Sequence, residues 1–99
     1  QVVLAPTALG AQWEVVACRV VPSRAFENGI YVAYANHAGR EGEITYLGGS
    51  CIIGPDGKDL ARADAAEGVI IHALDPARVQ AAQARLPYHR DLPGIALQA

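Results

Sequence analysis

Methionine is missing from these 99 residues, and charge is scarce: 18% are Asp, Glu, Lys or Arg, with a formal net charge of −2. A balance this low, with no basic excess, argues against a nucleic-acid footprint or a polybasic membrane contact. An apolar content of 52% argues equally against disorder. No apolar run approaches the roughly 20 residues that cross a bilayer, and no basic-plus-apolar leader is visible. Cysteine is limited to Cys18 and Cys51, which lie far apart and outside metal-ligand or redox spacing. The expectation is two reduced, buried small hydrophobes and, through them, a cytoplasmic location. No metal or cofactor is expected, because His37, His72, Cys18 and Cys51 sit on unrelated elements. The Gly48-Gly49 pair also lacks a phosphate-loop pattern.

What is present is a layered pattern. The chain opens directly in Gln1-Val2-Val3-Leu4-Ala5, which reads as a buried strand. Chain ends are usually polar and frayed, so a segment of a longer polypeptide is expected. The apolar fraction is high for so short a chain, and part of it is expected to face something outside these residues.

Residues 1–6 read as a strand, and 7–10 as the loop at its C-terminal end. Trp13, Val16, Ala17, Val20 and Val21 recur at helical spacing over 11–21. Pro22 then kinks this helix or opens a second one ending near Asn28. Asn28-Gly29 supplies a left-handed stop, and Ile30 to Ala35 form a strand with no polar side chain, as if covered on both faces. Residues 37–46 read as an exposed loop and 47–54 as a strand. Pro55-Asp56-Gly57-Lys58 is a turn into a short strand at 59–62. Residues 67–74 read as a further strand carrying a core or interface histidine, His72. Asp75-Pro76 caps a helix reaching about Leu86. Residues 87–99 read as an extended tail, with His89 on a surface or interface.

Several features occur in a specific order: Val3-Leu4-Ala5-Pro6-Thr7, then Trp13, then Arg24-Ala25-x-Glu27-Asn28. Tyr31-Val32, Ala35-Asn36 and Gly39 follow, then Gly49-Ser50, Ile53 and Pro55-x-Gly57. An acidic-led apolar run (67–74), an Asp75-led helix and a tail with Arg85, Pro87, Arg90 and Asp91 complete the set. In this order the sequence resembles the C-terminal part of the nitrilase, or carbon–nitrogen hydrolase, superfamily. The resemblance implies an α/β fold, the C-terminal half of a four-layer α-β-β-α sandwich, with 1–86 in the domain and 87–99 as tail. It also implies hydrolysis of a non-peptide C–N bond in a small amide, nitrile or carbamoyl substrate through a cysteine thioester, with a glutamate base and an oxyanion-stabilising lysine.

None of these catalytic residues has a counterpart here. The matching nucleophile would precede Gln1, Cys18 and Cys51 align with neither it nor its flanks, and Lys58 falls in a hairpin turn. The chain alone is therefore expected to be inert. The alternative is a non-catalytic binding or structural module that reuses half of the fold.

Ligands gather beyond the C-terminal ends of strands in layered α/β folds, and in this family the loop after the first strand borders the substrate. Thr7, Ala8 and Asn36 are therefore the candidate pocket edge, with His37 beside them. Arg24 and Glu27, three apart on a helix, are expected to form a structural ion pair anchoring the helix end to the sheet or the loop. Trp13, Val16, Val20 and Phe26 form an apolar stripe, packed on the sheet or buried between subunits. The resemblance implies a homo-oligomer, at least a dimer.

Overall fold

The computed structural model describes residues 1–87. The expected tail, apart from Pro87, and His89 lie outside the described residues. Strand β1 (Val2–Thr7) leads into a 3-10 turn (Ala11–Trp13), a π-helical turn (Val16–Val20) and helix α1 (Val21–Asn28). Strand β2 (Tyr31–Asn36) follows, then a two-residue-armed hairpin, β3 (Arg40–Glu41) and β4 (Ile44–Thr45). Strands β5 (Cys51–Ile53) and β6 (Asp59–Arg62) form a second hairpin, and α2 (Pro76–Arg85) completes the described elements.

The main sheet has the order β1-β2-β5-β6. β1 and β2 are parallel, with Val2 opposite Tyr31 and Thr7 opposite Asn36. The pairs β2–β5 and β5–β6 are antiparallel. Side chains alternate across a strand, so the register places Ala5, Val32, Tyr34, Cys51 and Ile53 on one face, under the helix. Ala17, Val21 and Ala25, four apart along the helical segment, cover them, and all three are buried. Small residues on this stripe let the helix approach the sheet closely.

This stripe corrects one of the two places expected for the Trp13 stripe, packing on the sheet. Trp13, Val20 and Phe26 point outward, with Trp13 50% exposed, while Val16 is packed against the core. Cys18, expected to be buried, is exposed, since it is rotated one residue around the helical segment from the buried Ala17. Cys51 is fully buried.

The helical segment is continuous through Pro22, and the π turn explains how. Proline has no N–H and its ring crowds the carbonyl one turn back. The helix widens just before it: the Val21 N–H reaches five residues back to Val16 O. The helix ends in a Schellman motif, with Gly29 at φ 60°, its N–H bonded to Phe26 O, and Ile30 N–H bonded to Ala25 O. A Cβ at Gly29 would lie 3.0 Å from Gln83 Cγ on α2. Helix α2 starts where Asp75 accepts from the Ala77 N–H at 3.0 Å, and the Tyr31 hydroxyl ties that start to β2 by accepting from the Asp75 N–H.

Three strand expectations change. β1, expected to be a buried strand, leaves Val2, Val3 and Leu4 exposed among the described residues, and β2, expected to be covered on both faces, leaves Ala35 exposed. The strand expected over 47–54 shrinks to Cys51–Ile53, because Gly48 and Gly49 take positive φ values. The strand expected over 67–74 does not form: no described element offers it a backbone ladder, and Val69 and Ile71 are each 86% exposed. His72, expected in a core or interface, is exposed, its Nδ1 2.6 Å from Ala73 O.

Candidate functional site

Because β1 and β2 are parallel and β5 is antiparallel to them, three loops converge at one end of the sheet. These are 8–10 after β1, 37–50 between β2 and β5, and 63–68 after β6. Thr7 and Asn36 are register partners at this end, and the His37 N–H donates to Thr7 O at 3.0 Å. Thr7 is half-buried and Ala8, next along, is exposed. The His37 side chain turns away onto the β3–β4 hairpin, its Nε2 2.9 Å from Glu41 Oε1 and its ring tilted against Tyr46.

Asn36 differs from its neighbours in being polar and 92% removed from solvent, with 8% exposure. Its Oδ1 accepts from the Leu9 N–H at 2.8 Å. Its Nδ2 donates to Gly48 O at 3.0 Å and to Leu9 O at 3.3 Å. The Asn36 N–H donates to Ser50 Oγ at 2.9 Å, and the Ser50 hydroxyl donates back to Asn36 O. A buried amide that is fully engaged in this way joins backbone segments, since leaving such groups unpaired would be costly.

A cleft of about 120 Å³ opens beside this junction, lined by Asn36, Gly48, Ser50, Asp64 and Glu67 among others. Thr7 and Ala8 are not among its lining residues. Gly48, at φ 66°, lets the 46–50 segment pass against 64–65: a Cβ there would sit 2.8 Å from Asp64 O. Ser50, Asp64 and Glu67 escaped the sequence reading. Ser50 carries no local signal beyond the family resemblance, and the acidic pair reaches the cleft only through the fold of the β6 exit loop.

Behind the cleft, Arg62 crosses three elements. Its Nε and Nη2 hold the two Asp59 carboxylate oxygens at 2.6 and 3.1 Å. Nη1 reaches Gly49 O at 3.3 Å and Nη2 reaches Ala17 O at 3.0 Å, inside the π turn. The hydrogen bond from Arg62 holds the Asp59 carboxyl below its ordinary pKa. Burial pushes the Cys51 thiol upward, only partly offset by Arg62. A thiol with raised pKa inside a core is a poor nucleophile. The buried Tyr34 hydroxyl is also raised by desolvation and has no hydrogen-bond partner among the described residues.

Arg24 Nη1 meets Glu27 Oε2 at 2.9 Å within α1, and both side chains are mostly exposed. Surface pairs of this kind are worth about 0–1 kcal/mol. Among the described residues no three His, Cys, Asp or Glu side chains converge as metal ligands, and no helix is long and apolar enough to cross a membrane.

A mixed sheet with helices on it, with loops gathered at the strand ends, defines an α/β protein. Residues 6–84 match the family model for carbon-nitrogen hydrolase, and the chain belongs to that family. A "Hydrolase in pqqF 5'region" from Pseudomonas protegens is 45% identical over 75 residues, covering 76% of this chain and 26% of the relative. The Nesterenkonia sp. AN1 amidase bound to butyramide, as a cysteine-to-alanine variant, is 41% identical with a TM-score of 0.72, covering 92% of this chain and 34% of that one. A glutamate-to-glutamine variant of that amidase carries acrylamide on its active-site cysteine; it is 40% identical, with a TM-score of 0.72 over 93% of this chain and 35% of that one. The chain thus spans about a third or less of the length of these relatives.

Proposed function

We propose that this chain is the C-terminal scaffold segment of a carbon–nitrogen hydrolase that cleaves a small amide, nitrile or carbamoyl substrate through a cysteine thioester. For an amide, the thiolate would attack the carbonyl carbon, a general acid would protonate the departing ammonia, and water would then release the acid. The nucleophile, glutamate base and oxyanion-stabilising lysine belong to residues outside these 99. The observation that carries the reading is the 40–41% identity, over nearly the whole chain, to an amidase that acquires covalent adducts at its active-site cysteine. Cys18 on an outward helix face and Cys51 in the core do not suit that role.

In this reading the chain contributes sheet, helix and one edge of the pocket, with Thr7, Ala8 and Asn36 at the strand ends. The outward Trp13, Val20 and Phe26 support a homo-oligomeric contact along the helical segment. Two unpaired cysteines support a cytoplasmic location.

The test is ammonia release by the protein that carries this chain, measured with butyramide, an aliphatic nitrile and an N-carbamoyl amine. Turnover of at least one is expected. Release from none of the three would favour the non-catalytic module.

A further inference from the structure

Loops 8–10 and 46–50 meet over the end of β2, and main-chain bonds already stitch them together there. Leu47 N–H donates to Leu9 O, and Gly48 N–H donates to His37 O. These bonds leave the Leu9 N–H and the Gly48 carbonyl facing the Asn36 amide, which supplies the complementary acceptor and donor. One planar group carrying an acceptor and two donors is available only from Asn or Gln, and Asn reaches these partners from the last position of β2. Both amide hydrogens are engaged by backbone, so none is left to bind a ligand.

We propose that Asn36 is a positioning residue: it holds the loop after β1 and the Gly48 turn at a fixed separation, and so sets one edge of the substrate pocket before substrate arrives. The proposal rests on the hydrolase reading above. It reassigns Asn36 from touching substrate to shaping what touches it. The chemistry of the amide identifies the variants that report on this role. Asn36→Asp keeps the acceptor for Leu9 N–H but sets a carboxylate against the carbonyls of Leu9 and Gly48. Protonation of that carboxyl would return one donor, so the defect of N36D is pH-dependent in a way no simple truncation reproduces. Asn36→Leu keeps the volume and removes every polar atom.

The experiment is steady-state kinetics of the full-length enzyme with butyramide from about pH 5 to 8, on wild type, N36D and N36L. Circular dichroism and thermal melting establish that each variant is folded. Misplacing an edge loop weakens substrate placement, so KM is expected to rise about tenfold in both variants while kcat changes much less. The N36D excess over wild type narrows toward pH 5, whereas that of N36L stays constant. Folded variants with wild-type KM and kcat, or with a lower Tm and unaltered KM, would overturn the proposal. Should neither variant fold, hydrogen exchange on the wild type decides: slow exchange at the Leu9 amide supports the bond to Asn36, and unprotected exchange overturns it. A wild-type enzyme with no turnover overturns the hydrolase reading, and this proposal with it. Wild-type turnover with unaltered variants overturns this proposal alone.

Discussion

Arg62 and Pro22 are 40 residues apart, yet the structure couples them through one carbonyl. The widened register closes with Val21 N–H on Val16 O, so the donor one α-turn beyond Ala17 is already spent, and one further step of that register would bring residue 22 to Ala17 O. Proline has no hydrogen to give. Arg62 Nη2 fills the place at 3.0 Å. Replacing Arg62 by Met keeps most of the aliphatic stem and removes the guanidinium. The two carbonyl contacts, to Ala17 and Gly49, are part-buried and worth about 1 kcal/mol each. The more exposed Asp59 pair adds about 0.5 kcal/mol after allowing for solvent screening, so R62M should cost about 2–3 kcal/mol. Pro22→Ala restores an N–H at that point in the helix, and Ala17 O can then be satisfied by main chain. The cost of R62M should therefore be about 1 kcal/mol smaller in the P22A background. Urea unfolding midpoints of the full-length wild type, both single variants and the double variant measure this coupling, and the intrinsic effect of P22A cancels in the cycle. Equal R62M costs in the two backgrounds, within about 0.3–0.5 kcal/mol, would show that Arg62 and Pro22 are not coupled through Ala17 O.

Other consequences are simpler. Tyr34→Phe removes a buried hydroxyl that has no partner among the described residues, so denaturation should show a change within about 1 kcal/mol; a loss above 2 kcal/mol would reveal a bond to that oxygen. Asp75→Ala removes the cap on α2, and a urea titration should register about 1 kcal/mol of destabilisation; an unchanged midpoint would argue that the cap is dispensable. Asp59 has a depressed pKa in the folded state through its bond from Arg62. Its stabilisation is thus full above the ordinary carboxylate value of about 3.9 and is lost as pH falls through the lower folded value. The stability gap between wild type and Asp59→Asn should shrink steadily on acidification below about pH 4; a gap that widens instead would reverse the assignment.

The sequence was most legible where local chemistry acts alone. Asn28-Gly29 announced the helix stop, Pro55-Asp56-Gly57 the hairpin, and Asp75-Pro76 the second helix, because caps and turns are decided by one or two residues. Patterns that depend on neighbours were harder to read. Trp13 and Phe26 belong to an apolar stripe that packing on the sheet or a subunit contact could bury, yet Ala17, Val21 and Ala25 occupy the place on the sheet, because close helix–sheet packing favours small side chains. Residues 67–74 have strand composition but no ladder partner among the described residues, and composition cannot supply one. At the candidate site, Asn36 stood out as the polar residue ending an apolar strand. Its engagement by Leu9 and Gly48 needed the parallel register to become visible. Arg62 carried no signal at all, since its partner carbonyls belong to elements distant in sequence.

The central claim is that the chemistry belongs to a cysteine outside these 99 residues while this segment frames the pocket. Its most direct test is to trap the full-length protein with fluoroacetamide and map the adduct by peptide mass spectrometry. A modified cysteine outside residues 1–99 is expected, with Cys18 and Cys51 unlabelled at the stoichiometry that abolishes turnover. Inactivation that tracks modification of Cys18 or Cys51 would contradict it.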